Sequence, residues 1–391
     1  MKPKILFFSG NRAEFGYLLP FFIEMQNDFA IDFLISGGHL LPPWNTRKEI
    51  QTAFTKHKLD IPLLEIPIQN GENTHIDSFA HLHQKTLELL QRKEYDYAFV
   101  MGDRPESFAF ASCVFLHNIP LIHYGGGDIT DNAYYIDSNI RHVITKMAHL
   151  HFTLSDDASK VVEQLGEESW RVTKAGISTY DYDRLHLLVT KEELAKEFSL
   201  IDFDKVLLIF TYHPVQYKSA QENLKDFMML LRIIEALTLP TIITYPNNDS
   251  GSLEMVVFLE NATFPKHIKA VKNLGTTKIM ALYKHTKAIV VGNSSGGVLE
   301  TVLFKTPTLN IGDRQGNRKR SANIFDVNLD EDAVAKKLHF IVHNYDKIKE
   351  QATSTSDTFG DGNAASIVTR KLQTKTLTKE KLLFKKFNRF S

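Results

Sequence analysis

The sequence predicts an α/β protein made of two Rossmann-like, doubly wound domains that face a central cleft. Three observations support this fold class. Short apolar runs alternate with amphipathic segments of helical length, as in parallel sheets covered by helices. The alternation occurs as two series that are separated by a polar stretch. The chain has 391 residues, 43% of them hydrophobic, which is long enough to bury two cores.

The first series of apolar runs predicts five buried strands in the N-terminal half. Between them, amphipathic segments predict helices at residues 17–25, 75–92 and 137–149. The predicted strands are residues 4–8, 31–35, 97–101, 121–123 and 151–154.

The second series follows a polar and charged crossing at residues 178–204, which contains a short predicted helix at residues 191–198. Helical segments again separate the apolar runs, so a second parallel sheet is expected. The predicted strands are residues 206–210, 241–244, 268–271, 288–291 and 308–311.

These patterns divide the chain into three parts. Residues 1–184 are predicted to form the first domain and residues 185–370 the second. Residues 371–391 are basic and partly apolar, and we expect them to form a helix that packs back on the body. Leu382, Leu383 and Phe384 provide the reason, because these side chains need burial.

Composition excludes several classes of function. Lys plus Arg equals Asp plus Glu, at 46 each, so no net field favours nucleic acid or an anionic membrane. The apolar run at the start of the sequence is too short for a signal or membrane-spanning segment, and a cytoplasmic protein is expected. The single cysteine, Cys113, excludes an intramolecular disulfide, and its apolar neighbours predict a buried helical thiol.

Chemistry-bearing residues directly follow the predicted strands. Because the carboxyl ends of parallel strands meet at one edge of a sheet, ligands of such folds bind there. We therefore expect a site in the cleft formed by residues 10–16, 102–104, 123–128, 211–214, 245–251 and 292–300.

The segment Gly292 to Glu300 is the most informative of these. Its small residues let backbone N–H groups approach an anion, its serines add donors, and the helix predicted after them adds positive potential, so it fits a diphosphate. Glu300, one helical turn beyond the last serine, is placed to accept hydrogen bonds from ribose hydroxyls. A capped helix with glycines for close packing remains an equal alternative for this segment alone.

Other strand ends carry charged groups with more than one interpretation. Arg12 lies in a glycine-flanked turn, which favours anion contact over a surface charge. Asp103 and Arg104 fit either a cleft or the cap of the next helix. His213, before Pro214, lies at a strand end where a cleft histidine is more natural than a core one.

A triple glycine, Gly125 to Gly127, indicates close approach of the backbone to another group, because three glycines are entropically costly. Asp128, Asp131 and Asp137 follow it, as expected for general acid/base work on a sugar carbon. A solvated acidic loop is the alternative.

An ordered set of motifs covers nearly the whole chain. The motifs are Gly10-x-Arg12-Ala13-Glu14-x-Gly16, Gly102-Asp103-Arg104, His123-x-x-Gly126-Gly127-Asp128, Asp137-x-x-Ile140-Arg141-His142-x-Ile144-Thr145-Lys146, His213-Pro214, Tyr245-Pro246-Asn247-x-Asp249-x-Gly251, Gly292-Asn293-Ser294-Ser295-Gly296 with Glu300, and Asn310-Ile311-Gly312-Asp313-Arg314-Gln315. Together they resemble the UDP-N-acetylglucosamine 2-epimerases, specifically the hydrolysing branch that feeds sialic-acid-type biosynthesis.

The resemblance implies a glycosyltransferase-B-like fold and an elimination mechanism. Loss of the C2 proton and of UDP would form a 2-acetamidoglucal, and water would then release N-acetylmannosamine. No metal or redox cofactor is implied. The implied catalytic residues are Asp103, Asp128, Asp137, Arg104 and His213, and the implied UDP-binding residues are Arg12, His213, Asn247, Ser294, Ser295, Gly296, Glu300 and Arg314.

This chain departs from the resemblance at Gly125, because many relatives carry Glu or His at that position. The segment between Asp128 and Asp137, around Tyr134 and Tyr135, is also two residues longer than the usual spacing. Asp128, Asp131 or a tyrosine then supplies the missing function, or the sugar differs. Asp128 is the first choice, since it directly follows the glycine turn.

Several alternatives to this function stay open. UDP-N-acetylglucosamine and a 2,4-diacetamido-2,4,6-trideoxy analogue, the latter used for legionaminic acid, both suit the family. A non-hydrolysing epimerase, a glycosyltransferase of the same architecture and a nucleotide-sugar sensor are the competing functions. The resemblance also implies a homodimer or homotetramer.

Overall fold

The computed structural model describes residues 2–42, 45–68, 74–129, 136–247, 251–316, 318–353 and 359–388, without the side chains of Arg12, Thr74 and His75. The chain forms two compact units. The N-terminal unit comprises the described residues of 1–129, 136–181 and 360–391, and the C-terminal unit those of 182–359.

The N-terminal unit is built on a seven-stranded parallel sheet with the order β3-β2-β1-β4-β5-β6-β7. Its strands are β1 Lys4–Ser9, β2 Ala30–Ile35, β3 Leu63–Glu65, β4 Tyr97–Met101, β5 Leu121–Tyr124, β6 Leu150–Thr153 and β7 Val172–Lys174. Its first helices are α1 Arg12–Met25, α2 Arg47–Lys56, α3 Thr74–Leu90, α4 Pro105–Leu116, α5 Ile136–Met147 and α6 Asp156–Gln164.

The C-terminal unit is built on a six-stranded parallel sheet with the order β10-β9-β8-β11-β12-β13. Its strands are β8 Val206–Thr211, β9 Thr241–Thr244, β10 Ile268–Val271, β11 Lys287–Gly292, β12 Thr308–Ile311 and β13 Ile324–Val327. The helices from the crossing onward are α7 Asp181–Arg184, α8 Lys191–Glu197, α9 Ala220–Ala236, α10 Ser252–Asn261, α11 Gly275–His285, α12 Gly296–Leu299, α13 Glu331–His343 and α14 Tyr345–Thr353.

Each sheet is covered by apolar helix faces. Leu6, Phe8 and Val100 of the first sheet pack with Phe110 and Ile144 of α4 and α5. These side chains are fully removed from solvent, and their burial supplies the main driving force for the layered arrangement. Cys113 lies in this core, as predicted.

The C-terminal segment packs on the N-terminal unit. It contains helices α15 Ala364–Leu372 and α16 Lys379–Leu383. The buried carboxylate of Asp181 accepts hydrogen bonds from the N–H groups of Ala364 and Ala365 and so caps α15, which packs against α1. Residues 360–370 therefore group with the N-terminal unit, whereas the sequence placed them in the second domain.

All ten predicted strands occur, with ends that differ by at most one residue. No helix among the described residues is both long and apolar enough to span a membrane.

Candidate functional site

The two sheets place the predicted site residues at their switch points. In the N-terminal sheet the chain runs outward through β1, β2 and β3 and then returns to place β4 on the other side of β1. In the C-terminal sheet the same reversal places β11 beside β8. Ligands of such sheets bind at the carboxyl ends of the strands that flank the reversal. Each unit therefore presents a candidate ligand site at this point.

In the N-terminal unit, Asp103 lies in the turn between β4 and α4. The N-cap of α4 is Arg104, whose backbone is extended and whose side chain makes no capping hydrogen bond, and Pro105 occupies the first helical position. Asp103 is not the cap residue, so the capping interpretation does not explain its presence. Its side chain is partly exposed, at 24%.

A buried arginine, Arg141 of α5, contacts Asp103. One of its terminal nitrogens donates to Asp103 Oδ2, and the other donates to the main-chain carbonyl of Asp128. Burial acts to lower the pKa of Arg141, but Asp103, Asp128 and Asp137 outweigh it, and the pKa is raised above the ordinary value. The three predicted carboxylates therefore all stabilise one charged guanidinium, and Asp103 contacts it directly.

His123 of β5 connects the Asp103 turn to α5. Its Nε2 lies 3.1 Å from the carbonyl oxygen of Gly102, and its Nδ1 lies 3.1 Å from the hydroxyl of Thr145. Burial lowers the pKa of His123 to about 3, so the ring is neutral at ordinary pH. A carbonyl only accepts, so the ring proton lies on Nε2, and Nδ1 is the unprotonated nitrogen that faces the Thr145 hydroxyl.

The glycines after β5 serve packing as well as access. A Cβ on Gly126 would lie 2.8 Å from the hydroxyl of Thr145, and one on Gly127 would lie 2.1 Å from the carbonyl oxygen of Ala158. A Cβ on Gly125 would meet no atom of the described residues within 4 Å, although its φ of +88° disfavours other residues. Close internal packing thus explains two of the three glycines, while Gly125 borders open space.

A buried carboxyl group, Glu14 of α1, lies beneath the same turns. Its Oε2 accepts hydrogen bonds from the hydroxyl of Ser9 at 2.7 Å and from the N–H of Gly10 at 2.9 Å. A Cβ on Gly102 would lie 3.0 Å from its other oxygen. Burial raises the pKa of Glu14 to about 7, against the lowering effect of these hydrogen bonds. Glu14 therefore ties the turn after β1 to the turn after β4.

In the C-terminal unit, the turn after β11 approaches β8 very closely. Gly292 has a φ of +136°, and a Cβ there would lie 1.9 Å from the carbonyl oxygen of Thr211. The N–H of Asn293 donates to that carbonyl at 3.2 Å. No residue with a side chain fits at position 292, so the glycine is required by the fold of the turn itself.

Asn293 clamps the main chain of His213. Its Oδ1 accepts from the His213 N–H at 2.7 Å, and its amide group donates to the His213 carbonyl at 2.9 Å. The N–H of Asn247 donates to His213 Nδ1 at 3.1 Å. In the neutral ring, Nε2 therefore carries the proton and acts as a donor. His213 is only 3% exposed, so it is more buried than a cleft histidine was expected to be.

The carbonyl of Asn293 gathers groups from the loop after β12. Arg314 donates to it at 3.3 Å, and the buried amide of Gln315 donates to it at 2.8 Å. Gln315 in turn accepts a hydrogen bond from Arg318. Two guanidinium groups are thereby linked to the turn that carries the predicted diphosphate ligands.

The predicted helix after this turn is present but short. Gly296–Leu299 forms a single α-helical turn that continues as the 3₁₀ helix Glu300–Val302, and Ser295 at its start makes no capping hydrogen bond. Positive potential from a helix dipole is correspondingly small here. Ser294, Gly296 and Glu300 lie together, since a Cβ on Gly296 would be 2.9 Å from a Glu300 carboxylate oxygen and 3.8 Å from the Ser294 hydroxyl.

The structure thus brings together most of the predicted residues within each unit. Asp131 and the side chain of Arg12 lie outside the described part of the chain. Among the residues that organise these sites, Arg141, Asn293 and Gln315 were not assigned a role from the sequence. All three stand within the motifs quoted above, which was the only signal for them.

Comparison with known sequences identifies the family. The family model for UDP-N-acetylglucosamine 2-epimerase matches residues 23–373. A hydrolysing GDP/UDP-N,N'-diacetylbacillosamine 2-epimerase from Campylobacter jejuni is 35% identical, over 84% of this chain and 85% of the relative. A hydrolysing UDP-N,N'-diacetylbacillosamine 2-epimerase from Legionella pneumophila is 25% identical, over 93% of each chain.

Among solved structures, the UDP-GlcNAc 2-epimerase of Neisseria meningitidis bound to UDP-GlcNAc superposes with a TM-score of 0.77 at 17% identity, covering 95% of this chain and 99% of that one. This likeness confirms the predicted two-domain fold class. The family match and the extent of the relatives lead to one conclusion: the chain belongs to the UDP-N-acetylglucosamine 2-epimerase family, as its ordered motifs predicted.

Proposed function

We propose that this protein is a hydrolysing 2-epimerase of a UDP-linked 2-acetamido sugar. The observation that carries the proposal is the buried Arg141, which contacts the Asp103 carboxylate and the turn at Asp128 after the central strands of the N-terminal sheet, with Asp128 and Asp137 adding to its electrostatic stabilisation. The names of the relatives from Campylobacter jejuni and Legionella pneumophila, both hydrolysing 2-epimerases, support the same reaction.

The proposed reaction has two steps. A carboxylate base removes the proton from C2, the bond between C1 and the diphosphate oxygen breaks, and the electron pair leaves with UDP to give a 2-acetamidoglucal. Water then adds across the C1=C2 double bond, with hydroxide at C1 and a proton delivered to C2 on the opposite face. The free sugar is the 2-epimer, and no oxidant or reductant is consumed.

We assign the proton transfers to the N-terminal unit. Asp103 and Asp137 act as the acid and base, and Arg104 assists beside them. The removal of a weakly acidic proton needs more than one such group, because a base alone does not stabilise the departing diphosphate. Asp128 supplies the function of the side chain that Gly125 lacks.

We assign UDP binding mainly to the C-terminal unit. The Nε2–H of His213, the hydroxyls of Ser294 and Ser295 and the backbone at Gly296 suit diphosphate oxygens, which accept hydrogen bonds. The remaining proposed contacts are those of Asn247 beside His213, Glu300 with the ribose hydroxyls, and Arg12 and Arg314 with the negative charge of the nucleotide.

For the sugar we favour UDP-N,N'-diacetylbacillosamine over UDP-N-acetylglucosamine. The names of the two hydrolysing relatives support it. The open space beside Gly125 also leaves room near the predicted sugar site that a larger side chain would fill. This substrate would place the enzyme in the synthesis of legionaminic-acid-type sugars, and UDP-N-acetylglucosamine would place it in that of sialic acid.

To test this function, the protein is incubated with UDP-N,N'-diacetylbacillosamine or with UDP-N-acetylglucosamine and no acceptor. UDP release is measured enzymatically, and the sugar is followed by proton NMR. Release of UDP and of the free 2-epimer is the expected result. A UDP-linked 2-epimer would instead support a non-hydrolysing epimerase. No product without an acceptor sugar would support a glycosyltransferase or a nucleotide-sugar sensor.

We also propose that the protein acts in the cytoplasm as a homodimer or homotetramer. Nucleotide sugars are made there, and the family resemblance supports the oligomeric state. Light scattering on the purified protein measures the assembly, and a monomer at micromolar concentration would contradict this proposal.

A further inference from the structure

We propose that Arg141 is a positioning residue of the reaction, which holds the Asp103 carboxylate and the turn at Asp128 in register with α5. The inference rests on the proposed function, because it concerns how the same carboxylates are kept in place. Arg141 acts through Asp103 and not on the sugar.

The geometry forms a closed ring of contacts. The side chain of Arg141 donates to Asp103, and the main chain leads back from Asp103 to Gly102. The carbonyl of Gly102 accepts from His123, and Nδ1 of His123 lies 3.1 Å from the hydroxyl of Thr145. That hydroxyl also lies 2.9 Å from the Arg141 carbonyl, one helical turn away on α5. The ring therefore joins β4, β5 and α5 at the position of Asp103.

The side chain of Arg141 also connects the turn at Asp128 to α5. Its other terminal nitrogen donates to the carbonyl of Asp128, which follows the glycine turn after β5. One planar guanidinium thus fixes two loops at once, as its forked donors allow. A lysine in the same place carries one compact ammonium group on a flexible side chain, and we expect it to hold only one of these two contacts.

Burial shows that Arg141 is part of the supporting structure. It is 4% exposed, while Asp103 retains 24% of its side-chain exposure. The carboxylate is thus the member of the pair that reaches solvent, and the guanidinium lies behind it. A buried charge without its partner costs free energy. The carboxylates therefore hold Arg141 in place, just as Arg141 holds the carboxylates in place.

The experiment compares Arg141→Lys, Asp103→Asn and the double variant by kcat, KM and UDP affinity. Arg171 offers a matched control, because it is equally buried in the same unit at 1% exposure and binds carbonyls of the C-terminal segment. Arg171→Lys is expected to lower the melting temperature and to leave kcat unchanged. Each variant is checked for native circular dichroism before assay.

We expect Arg141→Lys to lower kcat roughly 10- to 100-fold, with KM and UDP affinity within a few fold, because misplacement of a reacting group costs turnover. The loss in the double variant should be smaller than the product of the two single losses, since Arg141 acts through Asp103 as well as through the Asp128 turn. A kcat within about twofold of the wild type in Arg141→Lys, or losses that multiply in the double variant, would overturn the inference.

A second variant keeps the test open if Arg141→Lys does not fold. Thr145→Val is nearly isosteric and removes the hydroxyl that completes the ring, so kcat should fall a few fold while KM is retained. An unchanged kcat overturns the inference in that case. Absence of UDP release by the wild-type protein is a different result, which overturns the proposed function and with it any role for Arg141 in that reaction.

Discussion

The candidate sites of the two units are built from different kinds of interaction. In the N-terminal unit, Asp103, Asp128 and Asp137 stabilise one buried guanidinium, and a buried carboxyl group, Glu14, lies under the same turns. In the C-terminal unit, neutral amide hydrogen bonds centred on Asn293 fix the main chain of His213 and collect side chains from the loop after β12.

This difference fits a division of the reaction. Proton transfer requires groups that change charge, and such groups need charged partners to set their ionisation. A nucleotide cradle needs donors of fixed direction, and a network of amides provides them without competing for the phosphate charge. Changes in the first region should therefore alter turnover, and changes in the second should alter affinity.

The largest effect is expected in the N-terminal unit. Asp103→Asn and Asp137→Asn should each lower turnover by at least about a hundredfold while UDP affinity stays within a few fold, because each removes a group that exchanges a proton. Steady-state kinetics and calorimetric UDP titration measure the two quantities. Asp156→Asn is the control, since that exposed carboxylate of the same unit pairs with Lys174 at the surface. Near-normal turnover in either variant would remove its residue from the mechanism.

In the C-terminal unit, affinity should respond first. His213→Ala, or Ser294→Ala with Ser295→Ala, is expected to weaken UDP binding by roughly 1 to 3 kcal/mol, because phosphate oxygens lose hydrogen-bond donors. Isothermal titration with UDP measures the loss. His339→Ala, at an exposed position on α13, should leave affinity unchanged. Retained UDP affinity in the cradle variants would contradict the assignment of the diphosphate to this turn.

Glu300 allows a finer separation within the cradle. Glu300→Ala should weaken UDP binding by roughly 1.5 kcal/mol, about tenfold, and pyrophosphate binding by much less, because the proposed partner of Glu300 is the ribose. Parallel titrations with the two ligands measure the difference. Equal losses for both would show that the ribose assignment is wrong.

The smallest effect on the reaction is expected for Glu14→Gln, which keeps an acceptor for Ser9 and Gly10 but does not ionise. With its pKa raised to about 7, folded Glu14 keeps a proton that the unfolded chain loses from about pH 4.5. Glu14 therefore lowers the free energy of unfolding as pH rises from 4.5 to 7, by at most about 1.4 kcal/mol per pH unit. Urea unfolding across this range should show a flatter pH dependence in the variant, and identical slopes would contradict the raised pKa.

The buried strands could be predicted from the sequence because their apolar runs are continuous. The strands that were missed are β3, β7 and β13, and each lies at the edge of its sheet. They are short and mostly only partly buried, and each includes a polar residue, so no apolar run distinguishes them. A helix was predicted after Gly292, but a glycine-rich turn does not show how long the following helix is.

The site was predictable as a set of strand ends but not as a set of contacts. Spacing indicates that Asp103 and Asp137 lie at the same sheet edge, yet it does not show that both stabilise the charge of Arg141. In the same way, the sequence shows Asn293 only as one residue of a small-residue motif. Its hydrogen bonds to the main chain of His213 depend on the pairing of β8 with β11. Contacts between residues distant in sequence depend on sheet order, which a single sequence does not specify.

The removal of the C2 proton is the central claim, and the reaction in deuterium oxide tests it most directly. The purified protein is incubated with UDP-N,N'-diacetylbacillosamine, or with UDP-N-acetylglucosamine, and the released sugar is examined by proton NMR and mass spectrometry. If the C2 proton is removed, the free sugar should carry one solvent deuterium at C2, with the C2 configuration inverted, for each UDP released. A released sugar that keeps its original C2 proton and configuration would show direct hydrolysis and would contradict the account.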